Sequence, residues 1–108
     1  LGSVSGLELI SFLQGGESSV NGEVMRERAV KLNANFGQFD AEFILEHQSE
    51  IPKYWQNFYL VFPGTVWCLP GGDLCAPCLR WLDERWCLGF GWLMLGWRSG
   101  VQLLFFSK

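Results

Sequence analysis

The sequence predicts an α+β domain. An antiparallel β-meander or small SH3-like barrel spans about 57–106, one helix spans about 40–50, and a short helix or strand lies near the N-terminus. Three observations predict it. Residues 57–106 are dense in aromatic and β-branched side chains and are broken by turn residues. Residues 40–50 carry apolar side chains at helical spacing, and Pro52 stops the run. The whole chain is 108 residues and 49% apolar, which suits one domain with a sizeable core. "SH3-like" describes shape only.

The elements follow in order. "LELISFLQ" (7–14) is apolar at 7, 9, 10, 12 and 13 and closes on Gly15-Gly16, and periodicity leaves helix and strand both open. "GGESSVNGE" is a loop by composition, so residues 1–23 read as an arm that is flexible or exchanges between subunits. The alternation Val30, Lys31, Leu32, Asn33, Ala34 suits a strand beginning near 28. In "DAEFILEHQSE" Asp40 suits an N-cap, and Phe43, Ile44, His47 and Ile51 fall on one side. Strands are expected at 57–62, 65–69, 74–82, 86–95 and 101–106.

Two turns set an expected register. A two-residue loop at Gly71-Gly72 places Cys68 opposite Cys75. A turn at Asp83-Glu84 places Trp81 opposite Trp86 and Cys78 opposite Gly89. One face then holds Val66, Cys68, Cys75, Pro77, Leu79, Trp81, Trp86, Leu88, Phe90 and Trp92, and reads as core because no charge falls on it. Trp67, Ala76 and Gly91 fall on the other face, with the Trp67 ring lying across its small neighbours.

Charge excludes one class of partner. The net charge is −3 and no basic run occurs, so nothing marks a nucleic-acid surface. Residues 86–108 carry only Arg98 and Lys108 as charged groups, which points to burial or docking on another chain. "WCLGFGWLMLGW" is apolar for twelve residues, but Arg98, Ser99 and Gly100 interrupt it, and a span needs about 20. It reads as strand and turn. The N-terminal stretch has no basic n-region, so no signal peptide is expected.

All four cysteines, Cys68, Cys75, Cys78 and Cys87, lie within twenty residues. Cys75-Ala-Pro-Cys78 resembles the redox motif of thioredoxin-like proteins over those four residues only. The resemblance implies a helix opening at the motif and a reactive Cys75. It also implies a later strand led by a cis-proline, whereas the last proline here is Pro77. A zinc site would use the spacing C-x6-C-x2-C-x8-C, with only one close pair. In an extended strand Cys75 and Cys78 point to opposite faces, so the sheet reading makes them small buried hydrophobes. A Cys68–Cys75 cross-strand disulfide stays open under that reading. Reduced structural thiols are preferred, no cofactor is expected, zinc is the alternative, and reduced thiols favour a cytoplasmic location.

His47, the only histidine, lies near Glu46 and Glu50 and is weighed as a general base against a structural role. Trp67 and Trp97 are the surface candidates among six tryptophans. Three functional classes follow. The first is a non-enzymatic interaction module acting as a homodimer or higher oligomer. The second is a zinc or CxxC thiol protein. The third holds a small apolar ligand or peptide in a pocket lined by Phe43, Trp67 and Tyr59, with His47 or Glu46 as polar anchor.

Overall fold

The computed structural model describes residues 2–107. In chain order the elements are β1 (Leu7–Ile10), β2 (Ser19–Val20), α1 (Gly22–Lys31), α2 (Gln38–Glu46), β3 (Tyr59–Val61), β4 (Trp67–Cys68), β5 (Leu74–Leu82), β6 (Arg85–Trp92), β7 (Trp97–Arg98) and β8 (Val101–Phe106). Short 3-10 helices at Gln48–Glu50 and Lys53–Asn57 carry the chain from α2 to β3.

β5 is the axis of the sheet. Cys75 lies between Trp67 and Trp92, and Cys78 between Val61 and Gly89, so β3 and β4 share one edge of β5 while β6 takes the other. β3 pairs in parallel with β8, and β8 pairs antiparallel with β1. The fold is therefore α+β with a mixed, mostly antiparallel sheet of six strands. Of the two expected forms, meander or barrel, the barrel does not close: β8 leaves the meander and enters the sheet between β1 and β3, so β1, β4 and β6 keep unpaired edges. β2 and β7 form a separate two-stranded ribbon.

Helices cover both faces. On the first face Ala41 and Ile44 of α2 pack with Leu60, Leu79, Trp86 and Leu104. On the second, Met25 and Ala29 of α1 pack with Val61, Ala76, Cys78 and Leu103, joined by Trp97 of the ribbon. Coverage of both faces accounts for the burial of Ala76, Cys78 and Leu79 in the middle of β5. A single-core-face alternation does not describe β5. No helix among the described residues is long and apolar enough to cross a membrane.

Three local expectations are corrected. Residues 22–31 form α1 rather than a strand from 28: the Asn21 side chain accepts a hydrogen bond from the Val24 N–H at 2.9 Å, Glu23 opens the helix and Lys31 closes it. The alternating Val30 and Leu32 that suggested a strand are exposed, while Met25 and Ala29 point inward at i, i+4. At α2, Asp40 is not the N-cap; its carboxylate reaches back to accept the Gly37 N–H at 2.9 Å.

The third correction is register. Only Gly72 takes positive φ (92°), and the Leu69 N–H donates to the Asp73 carbonyl at 2.8 Å. The loop is thus three residues, Pro70–Gly72, with glycine in the left-handed position. That one-residue change puts Cys68 opposite Leu74 and moves Trp67 onto the face of Cys75 and Trp92. The Asp83-Glu84 turn follows expectation: both residues have positive φ, Trp81 faces Trp86 and Cys78 faces Gly89. In the N-terminal segment β1 pairs with β8 and Phe12 is buried. Arg28 ties it to α1 through Glu17 at 2.5 Å and the Phe12 carbonyl at 3.0 Å.

Candidate functional site

α2 covers only part of its sheet face. Beyond it lies the row Trp67–Cys75–Trp92, with Pro77–Phe90 beside it on the same side. Cys75 and Pro77 are buried in the central strand, but Trp67, Phe90 and Trp92 are 49%, 51% and 41% exposed. Phe39, in the first turn of α2, stands 88% exposed next to this row. Soluble surfaces seldom gather so many rings without a use for them.

A slot of about 310 Å³ opens between α2 and Trp67, lined by Gln38, Phe39, Glu42, Thr65 and Trp67. Its polar groups are linked in series. The Trp67 Nε1–H donates to Gln38 Oε1 at 2.6 Å, and Gln38 Nε2 donates to Glu42 Oε2 at 3.1 Å. The Gln38 backbone N–H donates to Thr65 Oγ1 at 2.9 Å. The indole plane is held in place by these bonds rather than by burial. A larger hollow of about 390 Å³ lies between the start of α1 and the 70–73 loop, but no aromatic ring lines it. Ring-walled hollows with a few convergent polar groups make the better ligand sites, so the Trp67 slot is preferred.

The free edge of β6 borders the same face. Leu82 and Arg85 close the hairpin, and the Leu93 N–H donates to the Leu74 carbonyl at 3.0 Å. Alternate residues, Arg85 to Gly91 by twos, therefore bond to β5, while Trp86, Leu88, Phe90 and Trp92 turn their peptide groups outward. The Trp86 N–H donates to Gln48 Oε1 at 3.2 Å, and the Trp92 carbonyl accepts from the Leu95 N–H at 3.2 Å. Leu88 and Phe90 present both peptide groups at the open edge.

The other candidates fall elsewhere. Trp97, expected on the surface, is 5% exposed; its ring lies on Gly91, where an added Cβ would meet it at 2.6 Å. Phe43 and His47 stack with centroids 4.1 Å apart, and His47 Nδ1 lies 2.7 Å from the Phe43 carbonyl oxygen. That places His47 as the cap residue of α2. Glu46 is exposed, and Tyr59 lies on β3, 52% exposed. The slot at Trp67 is walled by Gln38, Phe39, Glu42 and Thr65 in place of Phe43, Tyr59, His47 and Glu46. Gln38 and Phe39 were missed because nothing local in the sequence marks a residue that meets another 29 positions away.

All four cysteines are free. Cys68 is exposed, Cys87 half-buried, and Cys75 and Cys78 are buried on opposite sheet faces. Among the described residues no group of three or more His, Cys, Asp or Glu side chains is arranged to hold a metal ion. Burial pushes the Cys78 thiol up to about 12 from an ordinary 9.0, only partly offset by a hydrogen bond from the Gly91 backbone and by Arg80. The protonated thiol is thus the form that folding selects. Because the folded value lies above the unfolded one, its contribution is complete below about pH 9 and is lost as pH rises from 9 toward 12. Urea titrations at pH 8 and pH 11 should show a steeper alkaline loss for the native chain than for Cys78→Ala, by about 3 kcal/mol. Equal losses would mean that the thiol reaches solvent.

Compared with known proteins, the chain matches no family model, no curated protein and no solved structure.

Proposed function

We propose that the protein is a non-enzymatic interaction module that works as a homodimer joined through β6. The observation that carries this reading is the open edge at Leu88 and Phe90, flanked by exposed Phe90 and Trp92. Proteins usually blunt such an edge with charges, proline or a covering loop. β6 has one charge, Arg85 at its start, and no proline. Met94 and Leu95, 74% and 56% exposed, extend the apolar strip.

The edge is self-complementary. In an antiparallel pair about a two-fold axis through Gly89, Leu88 of one chain faces Phe90 of the other, and the reverse. Each exchanges both its peptide groups, and the groups already bonded to Gln48 and Leu95 stay outside the new ladder. Glycine at the axis brings no side chains into collision. The side chains of Leu88 and Phe90 meet on the first face. Four unpaired thiols suit a reducing compartment such as the cytoplasm.

Sedimentation equilibrium tests the proposal. The expected mass is near twice 12.3 kDa. Phe90→Pro removes an outward N–H and spares the β5 ladder, because proline is tolerated at a free edge. Two lost interchain hydrogen bonds should weaken the dimer by about ten- to a hundredfold, with an unchanged circular dichroism spectrum. A native chain that stays monomeric near 1 mM would refute the proposal. So would a Phe90→Pro chain that dimerises as tightly as the native one.

A further inference from the structure

We propose that the slot beside Trp67 binds an organic cation, a methylated ammonium group carried either by a small molecule or by a lysine side chain. Two aromatic rings, Phe39 and Trp67, and one carboxylate, Glu42, line the same 310 Å³ hollow. Ring faces attract cations through their quadrupole, and tryptophan does so most strongly. Among the described residues Glu42 is the only charged one on the walls, and no Lys or Arg lines them. Charge complementarity therefore selects a cation over a neutral or anionic guest.

The surrounding helix strengthens that selection. α2 carries Asp40, Glu42 and Glu46 and no base. A helix N-terminus ordinarily favours anions, but the two outermost amides here already have partners. The Gly37 N–H bonds to the Asp40 carboxylate and the Gln38 N–H to Thr65 Oγ1. The bond from Gln38 to Glu42 Oε2 orients the carboxylate and leaves Oε1 for a guest. The bond from the Trp67 indole to Gln38 fixes the ring plane, so little ordering remains at binding.

A methylated ammonium fits better than a bare one. It has a weaker hold on water, presents methyl groups to the rings, and asks for fewer hydrogen-bond acceptors than the three N–H groups of a bare ammonium would. Phe39 is 88% exposed, so the guest enters from solvent and the ring has room to close over it.

The test is titration of the full chain with choline, with a peptide bearing trimethyl-lysine, and with 3,3-dimethylbutan-1-ol, the uncharged isostere of choline. Affinity is read by calorimetry and the site by the Trp67 indole N–H resonance, assigned with Trp67→Phe. The expected result is saturable binding of at least one cation, with the neutral isostere about tenfold weaker or more. Glu42→Gln, which keeps the acceptor for Gln38, should weaken the cation about three- to tenfold. Tighter binding of choline identifies a free small molecule as the guest; tighter binding of the peptide identifies a modified lysine. Equal affinity for the isostere would overturn the proposal, as would a Glu42→Gln chain that binds as the native one does, or no saturation by about 50 mM.

Discussion

Trp97→Ala should lower the unfolding free energy by about 3–5 kcal/mol, the range for deleting a buried large aromatic side chain. Trp97 is 5% exposed and packs in the second core with Met25, Ala29, Ala76 and Leu93. Its ring lies flush on Gly91, beside the Cys78 thiol, and glycine has no side chain with which to fill the hole. It also anchors the β2–β7 ribbon, since its strand is only two residues long and pairs with Ser19 and Val20. Guanidinium unfolding measures the effect. Trp97→Phe separates volume from chemistry. It keeps most of the ring and removes a buried indole N–H that has no protein acceptor within reach among the described residues. Its expected loss is below about 1.5 kcal/mol. A loss under about 1 kcal/mol for the alanine variant would mean that the ring is not buried. The same change at half-exposed Trp67 should cost little stability, which separates the structural tryptophan from the one proposed to bind.

Gly22→Ala should destabilise the fold by about 2–3 kcal/mol, although helix propensity alone argues for a gain of up to about 1 kcal/mol. Gly22 opens α1, and its N–H donates to the Leu93 carbonyl at 2.9 Å. A methyl group there would sit 2.3 Å from that oxygen and 2.7 Å from the Leu93 Cα. Both contacts are with backbone, so relief requires the helix start to move away from the end of β6. The hydrogen bond would be lost with it. Gly15→Ala is the control: an added Cβ there meets nothing within 4 Å, and the expected change is within about 0.5 kcal/mol. If the two variants denature at the same urea concentration, the close approach of α1 to Leu93 is wrong.

Several features were legible because they depend on neighbours in the chain. The Asp83-Glu84 turn fixed the pairing of Trp81 with Trp86, and with it the opposite directions of Cys75 and Cys78. The helix before Pro52 appeared at 38–46, displaced by a few residues because Asp40 caps from inside the first turn. The strand at 101–106 formed where its composition placed it. The first helix was misread because Val30 and Leu32 alternate, yet both face solvent, and the cap at Asn21 was the stronger signal. The Gly71-Gly72 loop was misread by one residue because glycine permits positive φ without requiring it, and only Gly72 adopts it.

The site was half legible. Trp67 and the glycine-bearing strand that ends in Trp92 stood out by composition, whereas Phe39 and Gln38 did not, because they meet Trp67 only after α2 docks across the sheet. Trp97 and Trp67 look alike in the sequence, and one is core while the other is surface. Amino-acid order alone determined the helix before Pro52, the strands from 57 onward and one of the two hairpin registers, since propensity and turn chemistry act over a few residues. Tertiary structure decided the place of β8 between β1 and β3, the coverage of both faces, and which rings remain in water. Those outcomes depend on how layers of apolar surface from distant segments bury one another, and no local pattern encodes that choice.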